Sequence, residues 1–224
     1  MSPLKPATPV DLAALADRFV AHFPKLNAEQ RRIAVALYRL LALGEPVPPR
    51  QIALRTGAAV HQVNDLLNTV PAVYREDGKV IGFWGLTIRK LSKHRFHTAG
   101  RTLYTWCAWD ALFIPKILGR SAEVESEDAQ TGATIRLTVA PDSVAAAAPR
   151  GTFVSMLEPR EDMLEDVVSR LCHFIHFFAS QASGLAWTEK HVGTLLLSLE
   201  EAFELGQRTN QMRYGEALLQ NAET

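Results

Sequence analysis

At Pro71 the spacing of apolar side chains changes from a helical period to a strand period, and this leaves the first third of the chain few folds to adopt. Upstream, Asn27 can cap a helix carrying Ile33, Leu37, Leu40 and Leu41 on one face, and Gly44 stops it before the proline-rich stretch 46–49. A short helix over 50–55 and a Thr56-Gly57 turn lead to a third amphipathic helix over 59–70, with Val60, Val63, Leu66 and Leu67 inward. Pro71 closes it. Downstream, the runs 73–76 and 80–84 flank Asp77-Gly78, a two-residue hairpin signal. Helix, short helix, turn, helix and hairpin is the order of a winged helix-turn-helix, which is expected over residues 27–89. Residues 1–26 form an arm with one short helix, capped at Thr8-Pro9 and apolar along Leu12, Leu15, Phe19 and Val20.

Modules of this kind often bind DNA, and charge argues against it here. The helix over 59–70 has no Lys or Arg and contains Asp65, and the whole chain balances 24 basic against 24 acidic residues. A structural module with no nucleic-acid partner is therefore expected. The chain has 224 residues, 47% hydrophobic and 21% charged, which excludes a disordered state and suffices to bury an enclosed site. No apolar run approaches the ~20 residues of a membrane span. The first ten residues hold three prolines where a signal peptide needs an apolar core, so a cytoplasmic protein with no membrane partner is expected.

The fold class reads as α+β: the winged-helix-like module followed by a mixed α/β domain with antiparallel strands over residues 90–224. Residues 103–118 have the length and apolar density of a buried helix, ended or kinked by Pro115. The alternating runs 122–127 and 135–139 flank a turn at Thr131-Gly132. Residues 142–150 look like a short helix or loop, 152–157 like a strand, and 159–171 like an acidic helix. The aromatic run 172–178 fits helix or strand equally. A strand over 194–199 and an amphipathic helix over 200–219 close the chain.

Two constellations can carry chemistry. If 103–118 is helical, Cys107 and Asp110 are three apart and share a face, so a thiol and a carboxyl can meet one small ligand. The plain alternative is a buried cysteine packed between tryptophans, but an unpaired carboxyl in an apolar segment is costly. The second is Cys172 and His176, four apart and on one side of either a helix or a strand. Here the alternative is a core strand with one satisfied histidine. Cys107, Cys172, His176 and Asp110 would make a zinc set of acceptable type, without the paired spacing zinc sites usually show. Two thiols and a carboxyl suit a softer metal, the thiolates binding it and the acid supplying a proton. No phosphate-binding glycine loop, nucleophile elbow or His-Glu-x-x-His helix occurs.

The string Leu103-Tyr104-Thr105-Trp106-Cys107-Ala108-Trp109-Asp110 resembles organomercurial (alkylmercury) lyase. So do Ile117-Leu118-Gly119-Arg120, Cys172 ahead of His176-Phe177-Phe178-Ala179-Ser180, and Glu201-Ala202-Phe203-Glu204-Leu205-Gly206-Gln207. The resemblance is dense in the second half and looser over residues 27–86. It implies cleavage of the carbon–mercury bond by protonolysis in mercury detoxification, giving a hydrocarbon and Hg(II). The family's two catalytic cysteines fall on Cys107 and Cys172 and its catalytic aspartate on Asp110, all three in contact with mercury; the tryptophan before the first cysteine falls on Trp106. With His176 and Phe177, Trp106 is expected to line an apolar substrate pocket. The substrate is an organomercurial and no organic cofactor is implied; small thiols or a mercuric reductase would accept Hg(II). The chain departs from some members at His173 and Asp128, where they carry further cysteines. A competing reading is a winged-helix metalloregulator sensing a soft metal through its two cysteines; it accounts for the module and the thiols but leaves Asp110 and the helix without Lys or Arg unexplained.

Overall fold

The computed structural model of the chain describes residues 10–219, and the protein is α+β. Helix α1 (Leu12–His22) is capped by the Asp11 carboxylate, which accepts the Ala14 N–H at 3.0 Å; the expected cap at Thr8-Pro9 lies outside the described residues. Asn27 and Gln30 close a reciprocal capping box at the start of α2 (Ala28–Leu41). Pro49 opens α3 (Pro49–Thr56), Gly57 ends it in the left-handed conformation, and α4 (Val60–Thr69) follows. Strands β1 (Val73–Glu76) and β2 (Lys79–Phe83) form the hairpin expected at Asp77-Gly78.

That hairpin does not stand apart. With β3 (Leu86–Thr87), β4 (His94–Thr98), β5 (Arg101–Thr105), β6 (Ala122–Glu127), β7 (Thr134–Ala140) and β8 (Ser143–Ala148) it forms one antiparallel eight-stranded sheet, in the order β1-β2-β3-β5-β4-β6-β7-β8. The helical module and the second half therefore share a sheet and a continuous core, joined where Arg39 Nε of α2 donates to the Ile117 carbonyl at 3.1 Å. A second sheet pairs β9 (Phe153–Leu157) with β10 (Phe177–Phe178) and β11 (Thr194–Ser198) in antiparallel fashion. Helices α5 (Asp110–Leu118), α6 (Val167–Arg170), α7 (Gln181–Thr188) and α8 (Leu199–Tyr214) complete the frame.

Two expectations of secondary structure fail for a common reason. Residues 103–118 are not one helix: 101–105 pair with β4 as a strand, the chain turns at 106–109, and α5 begins at Asp110. The alanine-rich stretch is strand β8, held by its ladder to β7. In both places cross-strand pairing overrides local composition. Pro115 lies inside α5, and the Arg120 N–H is satisfied by the Pro115 carbonyl at the glycine-terminated end.

Helix α8 packs closely across α5 because Gly206 faces it: a Cβ there would approach the Phe113 Cβ to 2.8 Å. Trp109 Nε1 donates to the Ala202 carbonyl at 3.1 Å and the Asn210 amide to the Phe113 carbonyl at 2.9 Å, fixing α8 above the turn that carries Cys107. Helix α1 lies against α8 in turn, with Phe19 5.0 Å from Trp109. No helix among the described residues is long and apolar enough to cross a membrane.

Candidate active site

Cys107 sits in the tight turn between β5 and α5. Its N–H donates to Asp110 Oδ2 at 2.9 Å, and its carbonyl accepts from the Thr105 hydroxyl at 3.0 Å. Asp110, the first residue of α5, thus folds back onto the turn before it. The same thiol and carboxyl that a continuous helix would have placed side by side meet through a turn instead. Gly85 makes room for that carboxylate: its φ is +95°, its carbonyl accepts the Trp106 N–H at 2.9 Å, and a side chain on it would run into the Asp110 carboxyl group.

Cys172 arrives from the other side, opening a short 3-10 turn (Cys172–Phe174) after α6. The Ser155 hydroxyl donates to the Phe174 carbonyl at 2.8 Å and accepts the His176 N–H at 2.9 Å, pinning this segment to β9. The Ala108 N–H donates to the Ile175 carbonyl at 3.3 Å, tying the two cysteine segments together. Ligating atoms of Cys107, Asp110 and Cys172 consequently lie within 4.8 Å of one another, and all three residues are buried.

Burial sets the electrostatics. It pushes the Asp110 carboxyl up to about 6, against the pull of the Cys107 thiol, the nearby backbone N–H groups and the Arg213 charge. Burial likewise drives the Cys107 thiol well above its ordinary value, reinforced by the facing Cys172 sulfur and the Asp110 charge. At Cys172 the facing Cys107 thiol pulls downward, but burial and the charges of Asp110 and Asp166 leave it raised. Both cysteines are thus held as thiols beside a carboxyl that titrates close to neutrality.

A cavity of about 20 Å3 opens on this trio, walled by Trp106, Trp109, Phe113, Leu171 and Ile175, and by Phe23, Trp84 and Arg213. Trp106 takes the place expected of it. His176 and Phe177 do not: residues 172–176 change from a 3-10 turn to extended chain, so the four-residue spacing no longer keeps His176 on the side of Cys172, and Phe177 opens β10 in its pairing with β9. His176 packs on Trp187 at 5.1 Å, where burial lowers it to about 4, and Phe177 packs on His94 at 5.7 Å. Ile175 lines the cavity in their stead. The alternative four-ligand zinc set therefore loses His176, and among the described residues the cluster suited to a metal is the trio alone.

Gly85, Phe23, Arg213 and Asn210 were not legible as site residues. They reach the cavity from a hairpin end, the end of α1 and the last turns of α8. A glycine next to the aromatic end of the hairpin is the trace the sequence carries of this; the rest needs the tertiary arrangement.

An α+β frame with a helix-turn-helix module, closed over a buried dithiol and carboxyl, defines a protein built to hold a soft metal through sulfur. Residues 89–211 match the family described as alkylmercury lyase, and residues 12–84 match the helix-turn-helix domain of alkylmercury lyase. The alkylmercury lyase of Staphylococcus epidermidis is 40% identical over 182 residues, 81% of this chain and 82% of that protein. That of Pseudomonas putida is 40% identical over 173 residues, 77% of this chain and 80% of its own. The chain belongs to the alkylmercury lyase family. Its fold is shared with a solved structure described as the mercury-bound form of MerB2, at TM-score 0.73 and 24% identity, covering 93% of this chain and 98% of that one.

Proposed function

We propose that this protein cleaves the carbon–mercury bond of organomercurials at Cys107, Asp110 and Cys172. The observation that carries the reading is the mutual approach of two thiols and one carboxyl, within 4.8 Å, in a buried aromatic enclosure. Mercury in R–Hg+ is soft and exchanges its incoming ligand for one cysteine sulfur, whose proton leaves to Asp110 or to solvent. The second sulfur then adds electron density to mercury and polarises the bond to carbon. One thiol proton, carried by Asp110, is delivered to that carbon; the electron pair of the Hg–C bond becomes the C–H bond, R–H departs, and Hg(II) remains between the two sulfurs. The balance is R–Hg+ plus two thiols giving R–H, the dithiolate of Hg(II) and one proton. The surrounding rings exclude bulk water from these steps.

The chemistry needs no organic cofactor. Small thiols, or the dithiol of a mercuric reductase, would take Hg(II) from the site by exchange, and a cytoplasmic setting would keep both thiols reduced. Purified protein given phenylmercury with excess thiol should release benzene, measured in the headspace. Cys107→Ser and Cys172→Ser should each abolish it, and near-normal release by either variant would refute the two-thiol route.

A further inference from the structure

Phe23 is the first residue beyond α1, with extended backbone at φ −74° and ψ 150°, and its ring forms part of the wall of the cavity that Cys107 and Asp110 also line. Trp84 meets that ring edge-on at 5.1 Å and 86°. The guanidinium of Arg213 lies 4.4 Å over the centroid of Phe23 and 4.5 Å over that of Trp84. Arg213 is 8% exposed, makes no hydrogen bond or ion pair among the described residues, and its Nε, like Trp84 Nε1, is buried without a partner. A cation over one face and an indole at the edge form a seat shaped for a flat π-system. Phe23 fills it.

The space left over is small. About 20 Å3 takes a methyl-sized group and no ring, since a cavity that binds benzene is roughly 150 Å3. Withdrawing the Phe23 ring would add a volume close to that of a phenyl group to the cavity that both cysteines line. Because Phe23 lies outside the last turn of α1, its side chain can leave without unwinding the helix.

We propose that this seat is the subsite for the organic group of arylmercurials, and that Phe23 occupies it as an internal stand-in which an incoming aryl ring displaces. The inference rests on the lyase reading and deepens it: small alkylmercurials use the cavity with Phe23 in place, whereas aryl compounds must first expel a buried ring. Position 23 then sets the preference between the two substrate classes.

The first test needs no mercury. Benzene in saturated buffer should raise the Tm of Phe23→Ala by a few degrees, because it binds the vacated seat in the folded state, and should leave the wild-type Tm unchanged. The absence of any shift in Phe23→Ala would overturn the proposal. The second compares kcat/KM for phenylmercury and methylmercury by headspace detection of benzene and methane. The phenyl-to-methyl ratio should rise about tenfold in Phe23→Ala, which no longer has a buried ring to displace; an unchanged or lower ratio would instead make Phe23 a fixed wall. Should the alanine variant fail to fold, Phe23→Leu allows both comparisons with a smaller expected effect. A wild-type protein that releases neither hydrocarbon would refute the lyase reading, and benzene binding would still decide the seat.

Discussion

Asp110 accounts for most of what a single residue can do here. In the proposed reaction its carboxyl must be ionised to take a thiol proton, and burial holds it at about 6. Hydrocarbon release should therefore climb as pH rises through about 6, and Asp110→Asn should retain R–Hg+ binding while losing both turnover and that rise; rates and binding measured on the same preparation decide this. The same shift has a consequence for stability. The folded pKa lies above the ordinary 3.8, so the unfolded chain gives up this proton first, and the group's advantage to the native state, complete below 3.8, is lost as pH rises through about 6. At neutral pH the cost is on the order of 3 kcal/mol. Asp110→Asn should thus raise Tm at pH 8 and lose that gain below pH 4, as thermal melts across the range would show. Gly85→Ala sets a methyl group against the same carboxylate at a positive φ. It should cost about 2 kcal/mol or more and cut turnover along with stability, because the displaced carboxylate no longer accepts the Cys107 N–H.

Among the elements, the link between the two sheets depends on one buried carboxylate. Asp128, 2% exposed, follows β6 and accepts the N–H groups of Gln130, Thr131 and Ala179 at 2.7–2.8 Å and the Ser183 hydroxyl at 2.9 Å. It joins the β6–β7 turn to β10 and α7, the stretch that follows Cys172. Asp128→Asn would turn an amide donor toward at least one of these donors. It should lower unfolding free energy by about 2 kcal/mol in denaturant titrations, with no change in m-value. The four-helix segment and its hairpin are legible in the sequence alone, because capping residues, Gly57 and Asp77-Gly78 act locally. β4 and β5 are not: His94–Thr98 and Arg101–Thr105 are five-residue strands whose character comes from pairing with each other, with β3 and with β6.

Over the whole molecule, the helix-turn-helix module is fused to the catalytic half through a shared sheet, and Tyr74 of its hairpin packs on Trp106 at 4.9 Å. Its α4 presents His61, Asp65, Asn68 and Thr69 to solvent, with no Lys or Arg. On a chain of zero formal charge it should show no salt-sensitive binding to duplex DNA at low ionic strength. A fluorescence titration with micromolar or tighter, salt-dependent affinity would restore the metalloregulator reading. The sequence by itself determined the α+β class, the helical module, the identity of the two thiols and the carboxyl, and their family. The class and the module follow from local periodicity and turn chemistry, which act over a few positions; the thiols, the carboxyl and the family follow from residue type and from the resemblance of the motifs that carry them. Only the tertiary structure decided that Cys107 lies in a turn and not on a helix, that His176 and Phe177 pack on Trp187 and His94 outside the cavity wall, and that Phe23, Gly85 and Arg213 complete it. Those placements depend on strand pairing and on the close crossing of α5 and α8 at Gly206, contacts between residues far apart in the chain that no local pattern encodes.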